Sequence, residues 1–191
     1  MAGERRTWMM FVDGENFTIR AQELVKVGGF KLTEGRWYRR DTFVWMPDLP
    51  PVRSLNYKSY LADPGLRAYY YTSLKADTPT IEAVRSELWE IGFTPSVFKK
   101  VRPDEKAKGV DISLTKDMLS HAFLNHYEVA VLVAGDGDYV PLVEEVKRQG
   151  KLVVCAFFKD HGLNDGLRLV CDEYHDLQSF FMSSWMNKKS E

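Results

Sequence analysis

The chain has few cysteines, no long apolar run and no excess of charge of either sign. Its 191 residues include only two cysteines, Cys155 and Cys171, which lie in apolar segments without zinc-site spacing. Free thiols are therefore favoured over a disulfide, which fits a reducing compartment. The net charge is -1, so bulk charge alone does not hold this protein on nucleic acid. A role with nucleic acid requires a local basic patch.

The sequence also lacks the segments that place a protein in a membrane or direct it for secretion. No run of about 18 apolar residues occurs, so no membrane-spanning helix and no membrane partner are predicted. The apolar run before Asp13, residues 8–12, is shorter than the core of a signal peptide. We therefore expect a cytoplasmic protein, and the sequence leaves a homo-oligomer open.

What the chain does contain is an alternation of apolar runs and helical periodicities. The runs predict four buried strands, at 8–12, 67–74, 129–134 and 152–158, and one more strand at 94–101. One intervening helix has Thr78 as its expected N-cap, Pro79 at its first position and Gly92 as its stop. Strands that alternate with helices predict an α/β fold with a mostly parallel central sheet and helices on both faces.

The length and an apolar content of 45% suit one well-filled core, so residues 1–191 are expected to form a single domain. Residues 36–64 interrupt the alternation and predict an insertion with its own short helix near 55–63. Its aromatic and basic residues fit either a hydrophobic brace or a contact with a nucleic-acid base. The tail, residues 182–191, is expected to fray.

Acidic residues stand where predicted strands end. Asp13 follows the first strand, and Asp136 and Asp138 follow the strand at 129–134. Ligands of open parallel sheets bind beyond the carboxyl ends of the strands, and Asp111, at the start of a helix, fits the same crevice. Four carboxylates in one cleft repel each other unless a divalent cation is present. Oxygen ligands favour Mg²⁺ or Mn²⁺.

Each of these residues also has a simpler explanation. Asp138 alone fits a helix N-cap, Asn16 fits a hydrogen bond at a helix start, and Lys108 fits a solvated lysine. Two other glycine-loop motifs do not match the segment GDGDYV. A dinucleotide fingerprint requires glycine where Val140 stands, and a calcium loop requires a ligand there. The recurrence of acids at strand ends is what supports a joint site.

Two basic runs flank the predicted cleft. The segment 98–109 carries five lysines and arginines, of which Lys99, Lys100 and Lys108 are predicted to bind a nucleic-acid backbone. The segment 35–40 carries three arginines beside Trp37 and Tyr38, whose rings are candidates for stacking on a base. The alternative for both runs is solvated loop charge.

Three segments resemble the NYN domains of the PIN-like nuclease superfamily, in its LabA-like (DUF88) branch. They are FVDGENF at 11–17, KGVDISLTKDML at 108–119 and LVAGDGDYVPLVEEVKRQGKLVVCAF at 132–157. A looser match follows at 164–177, so the resemblance runs from about residue 8 to 178. The residues that correspond to the family's metal-binding acids and its asparagine are Asp13, Asn16, Asp111, Asp136 and Asp138.

The resemblance implies a PIN-like three-layer α/β/α sandwich whose acidic cleft binds Mg²⁺ or Mn²⁺ and hydrolyses phosphodiester bonds, most often in RNA. The five matched residues would then be catalytic. Two alternatives stay open. One is an RNA-binding or scaffold domain without turnover. The other is a phosphatase of the haloacid-dehalogenase type, although Glu15 stands where that family has an aspartate, and Asp138 and Tyr139 stand where it has asparagine and aspartate.

Overall fold

The computed structural model of this protein describes residues 7–46, 65, 67–100 and 108–187. Its strands are β1 (Trp8–Asp13), β2 (Tyr38–Arg39), β3 (Phe43–Val44), β4 (Arg67–Leu74), β5 (Thr94–Lys99), β6 (Val129–Val133), β7 (Leu152–Phe157) and β8 (Glu173–Asp176). Its helices are α1 (Gly14–Val27), α2 (Thr78–Glu90), α3 (Lys108–Phe123), α4 (Val140–Arg148), α5 (Asp165–Val170) and α6 (Gln178–Asn187).

Six of these strands form one parallel sheet in the order β5-β4-β1-β6-β7-β8. All five predicted strands are present in it, and β8 is added at one edge. From β1 the chain continues to β4 and β5 on one side, and then crosses through α3 to β6 on the other. The strand order therefore reverses between β1 and β6, and a crevice opens beyond their carboxyl ends.

The sheet is buried on both faces. Successive side chains of β1 alternate between the two cores, with Met10 and Val12 on one side and Met9 and Phe11 on the other. Helices α1, α2 and α6 pack on the first face, and α3, α4 and α5 pack on the second. The predicted three-layer α/β/α sandwich is confirmed.

The ends of α2 show how local chemistry sets its limits. Its N-cap is Asp77, whose carboxylate accepts a hydrogen bond from the Thr80 N–H at 3.0 Å. The expected cap, Thr78, is instead the first helical residue, so that prediction was wrong by one position. The helix stops before Gly92, which has a φ of +99°, as predicted.

The described part of the predicted insertion is a small hairpin in which β2 and β3 pair antiparallel. Phe43, Val44 and Trp45 are buried in the core beside α1 and α2, so residues 36–46 brace the sheet. The helix predicted near 55–63 lies outside the described residues. The tail expected to fray from residue 182 begins inside α6, which extends to Asn187.

Both cysteines are free thiols, as the sequence predicted. Within the described residues, no helix has the length and apolarity needed to cross a membrane.

Candidate active site

A cavity of about 210 Å³ opens at the carboxyl ends of β1 and β6, where the strand order reverses. Asp13 is the last residue of β1, Asp136 follows β6, and Asp111 lies in the first turn of α3. Three of the four predicted acids thus line one cavity although they come from distant parts of the chain. The full lining is Asp13, Glu15, Asn16, Ile19, Val110, Asp111 and Asp136.

The hydroxyl of Tyr139 lies between two of these acids. It is 2.9 Å from Oδ2 of Asp13 and 3.1 Å from Oδ1 of Asp111. Tyr139 is buried, so these contacts fix the separation of the two carboxyl groups. A hydroxyl has one proton to donate, so both contacts are hydrogen bonds only when one carboxyl group carries a second proton.

Asp13 favours its protonated form more strongly than an ordinary aspartate. The residue is 4% exposed, and this burial raises its pKa to about 7. The N–H of Asn16 and the hydroxyl of Tyr139 lower the pKa, while the charges of Asp111 and Glu15 raise it. Near neutral pH the site therefore holds a proton that a cation must displace.

The pKa of Asp111 is raised as well. Desolvation raises the pKa of Asp111, and the charges of Asp136, Glu15 and Asp138 raise it further. Asp138 does not line the cavity, so its influence is exerted at longer range. The cap of the 3₁₀ turn at Gly137–Tyr139 is Asp136, which accepts a hydrogen bond from the Asp138 N–H at 3.1 Å. The simpler explanation of Asp138 as an N-cap is thus wrong.

Asn16 connects the two strand ends. Its backbone N–H donates to Oδ1 of Asp13 at 3.0 Å, and its side-chain oxygen accepts from the N–H of Gly135 at 3.1 Å. The helix-start bond considered from the sequence is therefore present. In addition, the side chain of Asn16 joins the turn after β1 to the turn after β6.

The glycines of the GDGDY segment serve close packing. A Cβ on Gly135 would lie 2.4 Å from the carbonyl oxygen of Gly162, and one on Gly137 would lie 2.7 Å from the Asn164 amide nitrogen. Neither glycine has a positive φ. The small residues let the loop after β7 support the segment that carries Asp136.

The predicted cations divide into three cases. Lys100 forms an ion pair with Glu15, whose other oxygen accepts from the Ser73 hydroxyl. Lys99 is exposed at the end of β5 and does not line the cavity. Lys108 is the first residue of α3, and its side chain lies outside the described part of the chain.

The donor set fits Mg²⁺ or Mn²⁺ in chemical type. The lining offers carboxylate and amide oxygens, and Mg²⁺ is commonly bound by one or two carboxylates while it keeps several waters. Within the described residues, no group of three or more His, Cys, Asp or Glu side chains is arranged to hold an ion as it stands. Water would therefore complete the coordination at this cavity.

Sequence reasoning missed Tyr139 and Glu15 as site residues. Glu15 could have been found from the sequence, because it is an acid that follows Asp13 by two positions, in the first turn of α1. No local sequence pattern indicates Tyr139, because its role depends on contacts with Asp111 and Asp13, which lie 28 and 126 positions away in the chain.

The motifs and fold were compared with those of known proteins. The family model for the NYN domain matches residues 7–178, which is most of the chain. The chain belongs to the NYN family. It is therefore a member of the PIN-like nuclease superfamily, whose members generally use divalent metals and act on nucleic acids.

The fold of this NYN domain is also found in a solved structure. A crystal structure of a protein of unknown function from Vibrio parahaemolyticus aligns with a TM-score of 0.63 and 19% sequence identity. The alignment covers 93% of this chain and 96% of that one, so it supports the fold over nearly the whole length. A comparison with curated proteins finds no match.

Proposed function

We propose that this NYN domain is a ribonuclease that uses Mg²⁺ or Mn²⁺ to hydrolyse phosphodiester bonds. The observation that carries the proposal is the cavity at the strand reversal, which Asp13, Asp111 and Asp136 line together. A bound divalent cation supplies Lewis-acid chemistry, since it lowers the pKa of a water and offsets charge on phosphoryl oxygens.

The residues of the chain have distinct roles in this proposal. Asp13, Asp111 and Asp136 would hold the cation, and Asp138 would contribute through water. Tyr139 holds Asp13 and Asp111 at a fixed separation. Asn16 holds the turns after β1 and β6 together through its hydrogen bond with Gly135, and it lines the cavity without adding charge.

The test is cleavage of an end-labelled single-stranded RNA with Mg²⁺ or Mn²⁺, comparing the parent with Asp136→Asn. We expect activity to fall at least a hundredfold in this variant, because one cation ligand is weakened in the transition state. Asp165→Asn is the matched control. Asp165 is exposed on α5 and does not line the cavity, and its replacement by asparagine removes the same charge. Equal cleavage by the parent and Asp136→Asn would contradict the proposal.

The second candidate is an RNA-binding domain without turnover. It is favoured by the high pKa of Asp13 and by the absence, among the described residues, of three acids already arranged around an ion. Its expected outcome is RNA binding without cleavage in either metal. The family match gives no support to a haloacid-dehalogenase-type phosphatase, for which release of phosphate from a small phosphomonoester is the expected result.

A further inference from the structure

A second, larger cavity adjoins the acidic one on the face of the sheet that carries α1 and α2. Its volume is about 460 Å³, in the range of small-ligand pockets. It lies between the β2–β3 hairpin, the carboxyl end of β4 and the first turn of α2. The two cavities share two lining residues, Glu15 and Ile19.

The two cavities differ in charge. The charged residues that line the acidic cavity are all carboxylates. The larger cavity is lined by four cations, Arg39, Arg40, Lys75 and Lys100, against the carboxylates of Glu15 and Asp41. A chain with a net charge of -1 thus places a local excess of positive charge directly beside its acids. Such an excess attracts phosphate, which the acidic cavity without a cation repels.

Two of these cations are held in place by acids. The guanidinium of Arg39 is 2.9 Å from a carboxylate oxygen of Glu87 on α2, and Lys100 is paired with Glu15. The other two, Arg40 and Lys75, are exposed. Arg40 is 3.7 Å from Asp41, and a solvated pair of this kind is weak. Arg40 and Lys75 are thus the cations that a phosphate can engage without breaking a buried contact.

The boundary between the cavities has an apolar surface. Ile19 projects from α1 and is 46% exposed where the two cavities meet. Tyr38, considered from the sequence as a stacking ring, is buried, and its hydroxyl donates to Gln22 at 2.8 Å. Ile19 therefore offers the apolar contact that a base needs at this point.

We propose that the larger cavity binds the nucleotide next to the cleaved bond in a single-stranded RNA. Arg40 and Lys75 bind its phosphate, and its base packs against Ile19. The Glu15–Lys100 pair separates the phosphate site from the cation site. This inference rests on the proposed function and adds which side of the acidic cavity the strand occupies.

The test measures binding of a fluorescent single-stranded RNA of ten nucleotides by anisotropy, in Asp136→Asn so that turnover does not interfere. The double variant Arg40→Ala/Lys75→Ala is compared with Lys116→Ala/Arg148→Ala. The control pair lies on α3 and α4, across the sheet, and its side chains are 67% and 65% exposed. Both doubles lose two positive charges from exposed positions, and thermal melting checks that each is folded.

We expect Arg40→Ala/Lys75→Ala to bind about tenfold more weakly or worse, and the control to bind as the parent does. The slope of log K against log salt should shrink by about 1.4 in the first double alone, since each lost phosphate contact on a single strand accounts for about 0.7. Equal affinities and slopes for the two doubles overturn this inference and leave the proposed function intact. If Asp136→Asn without further changes binds no RNA, the result contradicts both this inference and the proposed function. If Arg40→Ala/Lys75→Ala weakens the binding of single-stranded DNA of the same sequence but not of RNA, the assignment of the cavity to RNA is wrong.

Discussion

At the residue scale, the tyrosine that touches both Asp13 and Asp111 is the central feature of the site. Its hydroxyl lies within hydrogen-bond distance of the buried Asp13 carboxyl and the more exposed Asp111 carboxyl. Burial raises the pKa of Tyr139 far above its ordinary value, and the charges of these two acids raise it further. Tyr139 is therefore a neutral donor at all working pH values. It lowers the pKa of Asp13, which burial would otherwise raise further.

Replacement of Tyr139 by phenylalanine should raise the pKa of Asp13 above about 7, because a hydrogen bond to the charged form is lost. The measurement is the pH titration of the Asp13 carboxyl carbon by NMR in the metal-free protein. Tyr174→Phe is the matched control, since its hydroxyl donates to the Phe157 carbonyl, which is not part of the cavity lining. A titration midpoint unchanged in Tyr139→Phe would show that the hydroxyl has no influence on Asp13.

At the scale of elements, one hydroxyl joins the hairpin to the sheet. Tyr70 of β4 is fully buried, donates to the Val44 carbonyl at 3.1 Å and accepts from the Val44 N–H at 3.2 Å. Its ring also explains Gly14, because a Cβ there would lie 1.9 Å from a Tyr70 carbon. The start of α1, the hairpin and β4 are thus packed around one side chain.

Tyr70→Phe should therefore destabilise the protein by about 1–3 kcal/mol, the cost of leaving buried polar groups of Val44 without a partner. Urea unfolding followed by circular dichroism measures this loss. Tyr174→Phe, whose hydroxyl is only partly buried, should cost less. If the Tyr70 variant is no less stable than Tyr174→Phe, a water has replaced the hydroxyl and the hairpin does not depend on it.

The strands missed from the sequence are short, with two to four residues each. Strand β8 has the sequence EYHD and lies half-buried at the edge of the sheet. It pairs with β7 alone, so it does not need the continuous apolar sequence of a central strand. Strands β2 and β3 have two residues each, and their pairing is decided by the packing of Tyr38 and Phe43 on the core. By contrast, four of the five predicted strands carry their signal locally, in side chains that are mostly buried, and only β5 has a single buried residue.

At the scale of the whole molecule, the protonation of Asp13 couples the site to global stability. Its pKa is about 7 in the folded chain and 3.8 when it is unperturbed. The folded state therefore binds the proton more tightly. The resulting stabilisation is fully present below about pH 3.8 and is lost as the pH rises through about 7. A pKa shift of this size corresponds to a change of about 4 kcal/mol in the free energy of unfolding between these pH limits.

The metal-free protein should consequently lose stability as the pH rises from about 4 to about 7, and Asp13→Asn should lose much less over the same range. Chemical unfolding in EDTA at several pH values measures both slopes. Addition of Mn²⁺ at pH 8 should restore stability to the parent, because a cation replaces the proton, and should restore little to Asp13→Asn. Parallel pH slopes for the two proteins would contradict the coupling.

The sequence by itself determined the α/β class, the five long strands and the acids at their ends, because apolar runs and strand-end positions are local properties. It also placed Asn16 in the site. Only the tertiary structure decided that Tyr139 bridges Asp13 and Asp111, that Asp138 stays outside the cavity lining, and that Lys100 is paired with Glu15. These features arise from contacts between distant segments and from burial, which sets the pKa of Asp13 and brings a basic cavity beside an acidic one.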